Sequence, residues 1–91
     1  MTFTIAAMCA DTGRLGVGIA TYSLGVGGYC PFFARGRAVL STQAFANPAL
    51  GPIAEAALAA GRSPAETLTD LAAADAGYAF RQVCIVDRAG R

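Results

Sequence analysis

Ninety-one residues make at most one small domain, and a chain of that size buries only about 60–65% of its unfolded surface. Hydrophobic residues are 55% of the chain and charged residues 14%, a high ratio for a small free-standing domain even though much of it is alanine. The net charge of +1 gives no electrostatic footprint for nucleic acid, and the lack of histidine removes the commonest general base and metal ligand.

The three cysteines, Cys9, Cys30 and Cys84, have neither zinc nor redox spacing. Each lies among apolar residues, so buried, reduced thiols are expected. No basic stretch precedes a long apolar run at the N-terminus, and no apolar run approaches the ~20 residues of a membrane helix. These features point to a cytoplasmic protein with no metal, organic cofactor, nucleic-acid or membrane partner. The apolar excess implies either a large face buried by a partner or a piece of a longer fold.

In chain order, Phe3, Ile5, Ala7 and Cys9 alternate with Thr2, Thr4, Ala6 and Met8, the period of a strand that starts at the terminus. Asp11-Thr12-Gly13 is a turn, and Leu15, Val17 and Ile19 alternate with Gly16, Gly18 and Ala20 in a second strand of a hairpin. The expected faces are Phe3, Ile5, Leu15, Val17 and Ile19 on one side, and Ala6, Gly16, Gly18 and Ala20 on the other. Residues 21–37 are glycine-rich and read as a connecting loop over Tyr29, Phe32 and Phe33. The Gly25–Gly28 run does not match a phosphate loop, because no Lys-Ser/Thr follows it.

Ala38–Ala44 reads as a short strand whose polar end, Ser41-Thr42-Gln43, runs towards Asn47. Asn47-Pro48 and Gly51-Pro52 open a helix, with Asn47 as its cap, and Gly61 closes it. Ser63-Pro64-Ala65-Glu66 is a capping box with proline at the first helical position, so a second helix starts there. It buries Leu68, Leu71 and Ala72, leaves Thr67 and Thr69 on its surface and ends near Asp75–Gly77. Tyr78–Asp87 returns as a strand, and Asp87–Arg91 repeats the turn chemistry of Asp11–Arg14. A further strand is expected beyond it, so the 91 residues read as one partial domain whose C-terminal half is missing.

One residue in this plan carries chemistry. With Met1 removed, Thr2 holds a hydroxyl and a free α-amine, a nucleophile and a general base within one residue. The order of strands and helices, with threonine at the start, resembles the opening half of an N-terminal nucleophile (Ntn) hydrolase. More narrowly, the chain resembles the bacterial family catalogued as domain of unknown function 1028. The matching stretches are Thr2–Ala6, Gly13–Ala20, Val26-Gly27, Ser41–Ala44, Asn47-Pro48, Gly51, Ser63-Pro64, Arg81-Gln82 and Ile85–Asp87.

The resemblance implies an α+β fold: the N-terminal part of a four-layer αββα sandwich, with an antiparallel sheet carrying two helices on one face. It implies an amidohydrolase acting through Thr2 on a small amide or peptide-like bond. An α-amine of ordinary pKa near 8 takes the hydroxyl proton, and an acyl-enzyme follows. Tyr22, Ser23, Ser41, Gln43 and Asn47 are the candidate substrate or oxyanion contacts. Superfamily sites often place a lysine near the nucleophile; that position here is Tyr22, and the chain has no lysine. The other expected role is a non-catalytic scaffold for binding or assembly, working as a homo-oligomer or with a chain that supplies the missing strands.

Overall fold

Residues Thr2–Met8 (β1) and Leu15–Thr21 (β2) pair antiparallel from Thr2↔Thr21 to Met8↔Leu15. The computed structural model describes all of residues 1–91. In the turn, Cys9 N–H donates to the Arg14 carbonyl at 2.8 Å and Gly13, at φ +70°, donates to the Cys9 carbonyl. Antiparallel partners share a face, so this register corrects the expected grouping. Thr2, Thr4, Ala6 and Met8 lie with Leu15, Val17, Ile19 and Thr21 on the half-buried face. Phe3 and Ile5 lie with Gly16, Gly18 and Ala20 on the exposed one, and the Ile5 side chain reaches across Gly18.

The second sheet has three antiparallel strands in the order β3-β4-β5: Pro31–Ala34, Ala38–Ala44 and Arg81–Asp87. β3 was expected as loop. Pro31 stands first in an edge strand, where its missing N–H takes no ladder bond away, so it fits there. A single 3-10 turn over Val26–Gly28 occupies part of the glycine-rich stretch before it. Phe32 packs against the core, whereas Phe33 is 57% exposed.

Helices Leu50–Ala59 (α1) and Pro64–Ala74 (α2) lie on one face of this sheet, and the hairpin lies on the other. The result is an α+β fold of two antiparallel sheets and two helices. In α2 the expected capping box is present: Ser63 Oγ accepts from Glu66 N–H at 3.2 Å, and the Glu66 carboxylate accepts from Ser63 N–H at 2.8 Å. Arg62 then clamps Asp70 with two 2.8 Å hydrogen bonds. α1 starts later than expected, with Ala49 at its N-cap, and Gly61 ends it at φ +88°.

The core joins the helices to the second sheet through Ala34, Ala38, Leu40, Leu50, Ala54, Leu71 and Ile85. Three expectations about side chains fail here. Thr67 is fully buried and its hydroxyl has no hydrogen-bond partner, while Ala72 faces solvent. Of the three free thiols only Cys30 is buried, and burial pushes its pKa up; Cys9 and Cys84 are exposed.

At the end of α2, the Asp75 carboxylate accepts from Arg81 Nε at 2.9 Å, Arg81 Nη2 at 3.1 Å and Gly77 N–H at 3.0 Å. Arg81 also donates to the Phe45 carbonyl at 2.7 Å, which ties the ends of β4, β5 and α2 together. The guanidinium holds Asp75 well below the usual carboxylate range, with Asn47 and Gly77 assisting against a smaller effect of burial.

Three outcomes follow from this packing. A Cβ at Gly51 would sit 2.3 Å from the Phe32 ring, so Gly51→Ala is expected to lower unfolding free energy by about 1–3 kcal/mol in urea titrations. Thr67→Val replaces an unpartnered buried hydroxyl with a methyl of the same shape, and is expected to raise it by about 1 kcal/mol. Because its native pKa is depressed, Asp75 contributes stability above its unfolded value of about 4, and this is lost as pH falls below it. Asp75→Asn should therefore flatten the melting temperature profile below about pH 4 and lower it at neutral pH.

Candidate active site

The polar end of β4 meets the start of β1 between the two sheets. Alternation sends Val39, Ser41 and Gln43 towards the hairpin, while Ala38 and Leu40 enter the helix-side core. Thr4 on β1 donates its hydroxyl to the Gln43 Oε1 atom, and its Oγ1 lies 3.5 Å from Ser41 Oγ. The Gln43 amide donates to the Thr2 carbonyl at 3.3 Å and to Gln82 Oε1 at 3.0 Å. Both amide hydrogens are thus engaged in holding strands. Beside them lies a cavity of about 190 Å³, lined by Thr4, Ser41, Gln43, Gln82, Val83 and Cys84.

Thr2 is half-buried at the mouth of this layer. Its Oγ1 is 3.1 Å from Thr21 Oγ1, and the Thr21 hydroxyl also lies 3.3 Å from the Met1 carbonyl oxygen, to which it donates. The Met1 carbonyl carbon is bonded to the Thr2 nitrogen. One hydroxyl on the partner strand therefore touches both the Thr2 side chain and the peptide group that masks its amine. Ser23 N–H donates to the same Thr21 oxygen at 3.3 Å, so the chain beyond β2 is folded around it.

The candidate residues divide into three groups. Thr2, Ser41 and Gln43 belong to one hydrogen-bonded layer with Thr4. Tyr22, 89% exposed, and Ser23 flank it in sequence, but their side chains make no hydrogen bond. Asn47 lies elsewhere: its N–H donates to the Thr42 hydroxyl at 3.2 Å, its side chain accepts from Ala49 N–H at 3.2 Å, and it faces Asp75. It holds the β4–α1 turn, so the expected capping role is replaced by a turn two residues ahead of the helix.

Three members of the layer were missed from the sequence: Thr4, Thr21 and Gln82. Thr4 and Thr21 had a usable signal. A hairpin pairing with a turn over residues 9–14 places Thr21 opposite Thr2, and strand period places Thr4 on the same face. Gln82 had none, because its partnership with Gln43 depends on the β4–β5 register.

The family comparison follows the same span. Residues 2–91 match the model described as "Family of unknown function (DUF1028)". Protein SPO2555 from Silicibacter pomeroyi, whose crystal structure carries the same family designation, is similar in fold at a TM-score of 0.90 and 29% sequence identity. That match covers 99% of this chain and 40% of that one, so the chain spans 40% of the length of that relative. No curated protein matches the chain. A family model that runs from Thr2 to Arg91 assigns the chain directly: it belongs to the DUF1028 family.

Proposed function

We propose that the DUF1028 domain to which these residues contribute is an N-terminal-nucleophile amidohydrolase, with Thr2 as its nucleophile and an αββα sandwich as its full architecture. The observation that carries this reading is the Thr21 hydroxyl, within 3.3 Å of both the Thr2 hydroxyl and the Met1 carbonyl. Once Met1 is removed, the neutral Thr2 amine takes the proton of the Thr2 hydroxyl as Oγ1 attacks the amide carbonyl carbon. The resulting ammonium gives that proton to the departing amine as the C–N bond breaks, leaving an ester on Thr2. Water, deprotonated by the same amine, then attacks the ester, and the carboxylic acid product leaves as Thr2 Oγ1 is reprotonated.

In this scheme Thr21 orients the nucleophile, Gln43 fixes the Thr2 backbone through its carbonyl, and the cavity beside Ser41 and Gln43 admits a small amide substrate. The outer hairpin face, where Phe3 is 66% and Ile5 69% exposed, supports a covering layer from further strands and helices or from a second copy. A non-catalytic scaffold is the second reading. Tyr22 favours it, because a tyrosine stands where the superfamily often has a lysine and brings no positive charge to the site.

Intact mass of the purified protein separates the two. The enzymatic reading expects loss of one Met residue and, with a β-lactone probe, a single acyl adduct on Thr2. Thr2→Ala should abolish the adduct and lower any amide hydrolysis by about three orders of magnitude while the fold is kept. Retention of Met1 leaves the scaffold reading, and hydrolysis that survives Thr2→Ala overturns the assignment of Thr2 as nucleophile.

A further inference from the structure

The hydrogen bonds of the polar layer have a direction, and it is set at Thr2. The Thr2 carbonyl oxygen carries lone pairs only, so the Gln43 atom 3.3 Å from it is the amide nitrogen. Gln43 Oε1 then takes the hydrogen of the Thr4 hydroxyl. The other Gln43 N–H is directed at Gln82 across a 3.0 Å bond, so Gln82 turns its oxygen to Gln43. The Gln82 amide nitrogen, with two N–H groups, is bonded to nothing else in the chain. Because Thr4 donates to Gln43, Ser41 is the donor in the 3.5 Å contact between the Ser41 and Thr4 hydroxyls, and its lone pairs stay open.

Gln82 and Ser41 both line the 190 Å³ cavity. It lies on the hairpin side of Gln82 and Cys84, at the end of β5 remote from Arg91. None of its six lining residues is charged. The cavity therefore offers N–H donors from Gln82 and an acceptor from Ser41, without a counter-charge. A neutral amide matches this pattern with its C=O and N–H. An ester has no hydrogen for Ser41. A carboxylate has none either, and would lose hydration with no cation beside it.

Thr4 lines the cavity and Thr2 does not. Two residues along β1 is about 7 Å, the span of two residues of an extended peptide. An amide held here is thus a different one from the bond that Thr2 would attack.

We propose that the cavity holds a second, uncleaved amide of a peptide-like substrate, its carbonyl on Gln82 Nε2 and its N–H on Ser41 Oγ. Gln82 is then the residue that selects amide over ester and carboxylate. The word substrate rests on the reading of Thr2 as nucleophile; the amide selectivity does not.

The test is an NMR titration of the full chain with three probes of similar size: N-methylacetamide, methyl acetate and acetate. N-methylacetamide should shift the Gln82 side-chain amide signals and bind at least fivefold tighter than the other two. Gln82→Glu keeps the oxygen that Gln43 needs and removes both donors; Gln82→Met removes the donors without adding charge. Each should weaken N-methylacetamide binding at least fivefold with the melting temperature unchanged. Equal binding of the three probes, no binding of N-methylacetamide, or binding that survives both variants overturns the proposal. In β-lactone labelling of Thr2, N-acetylalanine methylamide, which carries two amides, should protect at least fivefold better than N-methylacetamide; equal protection overturns the two-amide placement. Amide-selective binding in a protein that forms no Thr2 adduct sinks the nucleophile reading and keeps the amide site, whereas an adduct without amide selectivity sinks the amide site alone.

Discussion

The two-sided burial of β4 is the constraint on which the rest of this structure depends. Ala38, Val39, Leu40, Ser41 and Thr42 are all buried in sequence, which a strand achieves only when both its faces are covered. One face closes on Leu50, Ala54 and Leu71 of the helices, which explains why two short helices with modest apolar stripes are held at all. The other face closes on the hairpin. β1 is thereby positioned against Ser41 and Gln43, and Thr2 is held in place by a side chain 41 residues further on.

What could be read beforehand follows from how local each signal is. The α2 cap is a four-residue pattern whose partners are all within reach of one another, and Ser63 and Glu66 pair as the pattern dictates. β1, β2, β4 and β5 were legible from period alone, to within a few residues. β3 was hidden because its proline and the glycines before it are loop signals, and only its edge position makes Pro31 acceptable. The hairpin's faces were misjudged for a different reason. Sorting residues by apolar character put Phe3 with Leu15, whereas pairing through the 9–14 turn puts Phe3 opposite Ala20. Thr67 had a usable signal: it stands four residues before Leu71 and three after Pro64, and so shares their buried face of α2.

The candidate site was legible in the same partial way. Thr2, Ser41 and Gln43 come together in one layer: Thr2 stands out by its hydroxyl and amine at the start of the chain, Ser41 and Gln43 as polar residues at a strand end in an apolar chain. Ser23 and Asn47 rest on nearness in sequence to those ends, and Tyr22 on standing where the superfamily often has a lysine. Asn47 shows the weakness of that criterion: Ala44, the last residue of β4, at φ +65°, redirects the chain to the helix side of the sheet. There the Thr42 hydroxyl accepts from its backbone N–H and its side-chain oxygen accepts from Ala49 N–H.

The hairpin-facing side of β4 changes character along its length, from Val39 through Ser41 to Gln43. Burying polar side chains between two sheets costs free energy unless every group finds a partner, and an apolar pair in the same space gives up nothing. Val39 is that cheaper solution, at the end remote from Thr2. At the near end, Thr2, Thr4, Thr21, Gln43 and Gln82 form bonds that specify direction as well as contact. Apolar packing tolerates a small slide of one sheet over another, but this network does not, because a shift of one residue turns each donor to the opposite face. The polar layer therefore fixes where the Thr2 backbone and hydroxyl sit. That fixed position is what the proposed Thr2 nucleophile would require.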